Sequence, residues 1–143
     1  MGSPEASWQV TPHRASGLRA RKVTRAAPGD ASPILLVHGW PETWWAFHKV
    51  IPVLAKTHRV FAVDLRGFGA SDIAMQGDNS TTIAEDLHAL IGHLDLGGVH
   101  LAAQDFRGRW LSGWLLSIRG MCEALLLSKP AFLGSVSNFS QVR

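Results

Sequence analysis

Apolar residues gather in four short runs after Pro33, at 34–37, 60–63, 99–103 and 124–127. Apart from His100 these runs do not alternate with polar positions, so they read as strands buried on both faces. Between the first two, residues 44–55 have helical character, with Pro52 marking a break or a new first turn because proline lacks a backbone donor. Thr82-Ile83-Ala84-Glu85 has capping-box spacing, and Ile83, Leu87, Leu90, Ile91 and Leu94 follow at helical intervals until Gly97-Gly98 stops the helix. Residues 110–118 are amphipathic and predict a further helix. Continuously apolar strands separated by helices predict an α/β fold: a mainly parallel sheet with helices on both faces.

Ahead of Pro33 the pattern weakens. Residues 1–17 are punctuated by Gly, Ser and Pro, and 26–30 read as a turn. Residues 7–11 and 18–24 are candidate antiparallel edge strands, although charges fall on both faces of the second. The organisation expected is a poorly structured basic arm over 1–26 and a core over 27–143. Arg14, Arg19, Arg21, Lys22 and Arg25 supply much of the formal net charge of +3. No aromatic interleaving or reader motif accompanies them, so a solvated terminus is expected and nucleic acid is not an expected partner. Cys122 is the single cysteine, which excludes an internal disulfide and suits a reducing, cytoplasmic setting. No early apolar run signals secretion, and nothing approaches a membrane span.

In parallel sheets of this kind, sites collect at the carboxyl ends of the strands. Those ends are residues 38–41, 64–69, 105–108 and 128–130. The third is the most informative. The run from Val99 delivers one carboxylate, Asp105, to a turn from which the next helix starts, which is the arrangement of a nucleophile elbow. A carboxylate raised there can attack an alkyl carbon and form an ester that water must later cleave. The competing reading is an aspartate that caps a helix. Glu85 and His88 share a helix face but have no third ligand at suitable spacing, so no metal and no cofactor are expected. His100 reads as a core histidine, Cys122 as a small hydrophobe, and Trp44, Trp45, Trp110 and Trp114 as packing residues.

The motifs His38-Gly39-Trp40-Pro41, Glu42-Thr43-Trp44-Trp45, Asp64-Leu65-Arg66-Gly67-Phe68-Gly69-Ala70-Ser71-Asp72, and Asp105 after its strand resemble the α/β-hydrolase superfamily. Within it they resemble the Asp-nucleophile branch of epoxide hydrolases and haloalkane or haloacetate dehalogenases. The resemblance runs from about Gly17 to Gly134 and is strongest between Ile34 and Asp105. It implies that Asp105 is the nucleophile and that the backbone N–H groups of Trp40 and Phe106 form the oxyanion hole. It implies a cis peptide bond before Pro41, and loop-ordering roles for Gly39 and for the side chains of His38, Asp64 and Arg66. Trp40 and Phe106 would flank the reacting carbon or its leaving group. The implied substrate is a small epoxide or organohalide.

Two departures qualify what this chain is expected to do. At the elbow, Arg107 stands where the pattern wants a small residue, Gly108 comes one position late, and Gln104 stands where many relatives carry histidine. Ester hydrolysis in this branch also needs a histidine base and a second carboxylate, both following the nucleophile. All seven histidines, His13, His38, His48, His58, His88, His93 and His100, precede Asp105. Glu123, just before the fourth strand, is the only acidic residue after it, and the sequence contains no tyrosine to protonate an epoxide oxygen. The expectation is the N-terminal half of such a hydrolase, without cap and later strands and inactive alone. The alternatives are a non-catalytic remnant or binding module, whose exposed sheet edge invites self-association, and a nucleic-acid module using the basic arm.

Overall fold

The computed structural model describes residues 9–15, 17–24, 30–73, 79–104 and 122–128. They form a six-stranded sheet of β1 (Gln9–Ala15), β2 (Leu18–Thr24), β3 (Pro33–Val37), β4 (Arg59–Asp64), β5 (Val99–Gln104) and β6 (Cys122–Ser128). The spatial order is β1-β2-β4-β3-β5-β6. Strands β4, β3, β5 and β6 run parallel, while β2 is antiparallel to β4 and β1 antiparallel to β2. The helical elements are a 3-10 turn at Trp44–Phe47, α1 (Ile51–Leu54) and α2 (Ser80–His93).

The first three apolar runs become the central strands β3, β4 and β5 because both of their faces are covered. Successive side chains on a strand point to opposite faces. Leu35 and Val37 therefore join Phe61, Val63, Leu101 and Ala103 beneath Ala84, Leu87, Leu90 and Ile91 of α2. Ile34, Leu36, Val60 and Ala62 form a second core with Phe47, Ile51 and Ala55. Helices thus cover both faces, as the absence of alternation predicts.

Several local expectations shift. Helix α2 starts earlier than the Thr82–Glu85 spacing suggests: Asn79 is its cap, its side-chain oxygen accepting the Thr82 N–H at 3.0 Å. The helix also stops before Gly97-Gly98, with Leu94 as C-cap, and left-handed backbone at Asp95 and Gly97 turns the chain so that Leu96 is buried in the first core. The stretch 44–55 splits, since Pro52 sits in the first turn of α1, where its missing N–H costs nothing. β1 is longer than 7–11, running through Pro12, a residue an edge strand tolerates. Glu123 lies inside β6, at the register shift between the Val99–Cys122 and His100–Ala124 pairs, not ahead of the strand. Residues 26–29 of the predicted 26–30 turn, the 110–118 helix, and Asp105, Phe106 and Arg107 lie outside the described residues.

The order of connections positions the site. From β3 the chain crosses one face and lands as β4 on one side; from β4 it crosses the other face through α2 and lands as β5 on the opposite side of β3. The chains leaving β3 and β5 therefore diverge. Such a reversal opens a crevice beyond the carboxyl ends of these two strands.

Candidate active site

The turn after β3 is built around His38, which is fully buried. The Leu65 N–H donates to its Nε2 at 3.0 Å, so that nitrogen carries the lone pair, and Nδ1–H donates to the Gly39 carbonyl at 2.8 Å. Phe68 meets the ring edge-on, with centroids 5.3 Å apart. Burial lowers the His38 pKa from 6.5, against the opposing pull of the Gly39 carbonyl and the Asp64 and Glu42 charges. The imidazole is a neutral strut between the loops after β3 and β4, with both nitrogens occupied.

Beyond it, the Gly39 carbonyl also accepts the Glu42 N–H at 2.9 Å, closing a tight turn with Trp40 and Pro41 at its tip. The Trp40–Pro41 peptide bond is cis, as the resemblance implies. Trp40 is 61% exposed.

The other support is Asp64, the last residue of β4, only 1% exposed. Its Oδ1 accepts the Trp44 N–H at 2.9 Å and its Oδ2 the Ala70 N–H at 3.1 Å, so one carboxylate holds both loops. Gly69 makes this approach feasible. Its φ is +52°, and a Cβ there would lie 2.3–2.6 Å from the Asp64 carboxyl atoms. The Ser71 hydroxyl donates to the Asp64 carbonyl and accepts the Arg19 N–H at 2.7 Å. Asp72 pairs with Gly17 through its N–H, and its side chain with Arg14, so β1 and β2 brace the far end of the loop.

Arg66 faces away from this network, toward α2. Its Nε and Nη2 donate to the two Asp86 oxygens at 2.6 and 2.7 Å, a bidentate pair that raises the Arg66 pKa further. His38, Gly39 and Asp64 are therefore drawn into one support, with Trp40 and Pro41 on its tip, while Arg66 ties the loop after β4 to α2. Sequence reasoning missed Asp86, Ser71 and the backbone amides of Leu65, Trp44 and Ala70. Asp86 left one signal: a charged residue one turn before Leu90, bordering the apolar stripe of α2.

β5 runs beside β3 with Val37 opposite Ala103, so β5 ends at Gln104 next to the His38 turn. A family model described as alpha/beta hydrolase fold matches residues 32–109, more than half of the 143. The chain belongs to the alpha/beta hydrolase fold family. It is similar to a soluble epoxide hydrolase from Corynebacterium sp. (strain C12), 35% identical over 123 residues, covering 85% of this chain and 42% of that protein. A haloalkane dehalogenase from Psychrobacter cryohalolentis is 39% identical over 84 residues, 57% of this chain and 28% of the dehalogenase. The solved structure of Cfl2 from Burkholderia cenocepacia superposes with a TM-score of 0.72 at 26% identity, over 94% of this chain and 48% of Cfl2. The chain spans less than half the length of each of these relatives. Among the described residues, no group of three or more His, Cys, Asp or Glu side chains is placed to hold a metal ion, and no helix is long and apolar enough to cross a membrane.

Proposed function

We propose that this chain carries the nucleophile and oxyanion-binding portion of an epoxide-hydrolase-type site. A carboxylate oxygen of Asp105 attacks an epoxide carbon, the carbon–oxygen bond breaks, and the departing oxygen takes a proton from water. With an organohalide, the carbon–halogen bond breaks and halide leaves. Either route leaves an ester between Asp105 and the substrate carbon. When water adds to that ester, the N–H groups of Trp40 and Phe106 hold the charge on the carbonyl oxygen. The supporting observation is the parallel pairing of β3 with β5, which brings the braced His38–Trp40 turn and the chain leading to Asp105 out of neighbouring strands. The epoxide hydrolase relative, matched over 85% of this chain, favours epoxides; the dehalogenase relative is the ground for the organohalide reading.

The 143-residue chain stops at the ester. Every histidine precedes Asp105, and the one built into the site, His38, is a neutral strut with both ring nitrogens engaged. Styrene oxide and a chloroalkane, each incubated with the full chain, test the reading by intact mass and peptide mapping. The expected result is one adduct per chain, on Asp105, absent in Asp105→Asn and without diol accumulation. Repeated release of diol or halide overturns the stalled-ester reading, and no adduct with either reagent supports a non-catalytic remnant. Among the described residues β6 is a sheet edge, and the reading includes self-association through it, checked by sedimentation velocity over a range of concentrations.

A further inference from the structure

We infer that Asp86, on helix α2, is a positioning residue for the Trp40 turn and acts through Arg66. The Arg66–Asp86 pair is bidentate and mostly out of solvent, with side chains 19% and 9% exposed. Buried ion pairs of this kind contribute little net stability, because removing both charges from water offsets their attraction; what they can supply is a defined geometry. The geometry this pair defines is that of the residues before Arg66. The adjacent Leu65 N–H is the donor that selects the His38 tautomer, and His38 in turn holds the carbonyl of Gly39, next to Trp40. Asp64, two residues before Arg66, holds the Trp44 amide on the far side of the same turn. Asp72 braces the distal end of the β4 loop against the Gly17 turn, Ser71 holds the Asp64–Leu65 peptide from the β2 side through the Asp64 carbonyl, and Arg66 ties the next residue to α2. Without the Asp86 charge, the Leu65 peptide keeps the Ser71 bond and its core packing but loses the tie on its Arg66 side, and the bond that fixes the His38 ring is weakened.

The inference rests on the proposed alkylation of Asp105 for its chemical consequence, though not for its structural one. The test uses the full chain labelled with 15N, with the His38 ring nitrogens assigned by comparison with His38→Gln. In the parent chain the shifts should report a single Nδ1–H tautomer. Asp86→Asn, which keeps the size and removes the charge, should give averaged ring shifts and, because Trp40 flanks the reacting carbon in the proposed site, roughly tenfold slower alkylation of Asp105 by styrene oxide, the scale of one charge-assisted hydrogen bond. Asp86→Glu should restore both. Arg66→Lys, which keeps the charge but not the fork, should fall between, and it carries the test if Asp86→Asn does not fold. A lower melting temperature with an unchanged His38 tautomer and an unchanged alkylation rate in these variants overturns the inference. If the parent chain is not alkylated at all, the functional reading fails, and the ring-nitrogen shifts alone decide the role of Asp86.

Discussion

Gly69 and Gly67 both have positive φ, yet they are not equivalent. Nothing lies within 4 Å of a Cβ placed on Gly67, whereas one on Gly69 meets the Asp64 carboxylate. Gly67→Ala should cost only the backbone strain, about 1–2 kcal/mol. Gly69→Ala adds an overlap with a buried charge and should cost about 2–5 kcal/mol, both read from denaturant unfolding. His38 gives a pH dependence whose sign follows from burial. Its folded pKa is lowered below 6.5, so the unfolded chain binds the proton more readily. Its contribution to stability is full above pH 6.5 and declines as pH falls below that value. Unfolding midpoints followed from about pH 8 to about pH 5 should drop less steeply in His38→Gln than in the parent chain.

At the level of elements, α2 does two jobs with different faces. Leu87 and Leu90 bury against β3, β4 and β5, while Asp86 beside them reaches Arg66. Leu87→Ala should cost about 2–5 kcal/mol by leaving a cavity in a fully buried position. Asn79→Ala removes the acceptor for the Thr82 N–H and should cost about 1 kcal/mol, measured in the same way. The existence of the helix was legible from its apolar spacing. Its ends were not, because Asn79 and Thr82 both suit a cap and only the packing of Ala84 and Leu87 selects the register. Likewise the charges on both faces of residues 18–24 argued against a well-formed strand. β2 forms because its backbone pairs with β4, a contact that asks little of side-chain alternation.

At the scale of the whole molecule, the site is a product of topology. The loops after β3 and β4 come from segments more than twenty residues apart, and they meet because β4 lies beside β3, while the chain reverses its direction of progress across the sheet after β4. Asp64 and His38 then convert that proximity into fixed geometry, each bonding across the two loops. The same topology leaves β1 and β6 outermost among the described strands, with β1 antiparallel and carrying Pro12, which has no backbone N–H to offer a further strand and so blunts one edge more than the other.

Hydrophobic period alone was enough to specify an α/β sheet with two covered faces, because burial on both sides forbids alternation in the strands between. The loop motifs around His38 and Asp64 were likewise readable, since residue type and local spacing are carried by the chain itself. What only the tertiary structure decided were the partners: Leu65 for His38, Trp44 and Ala70 for Asp64, Asp86 for Arg66. These bonds join residues brought together by strand order and helix packing, and no local spacing encodes a distance that the fold creates.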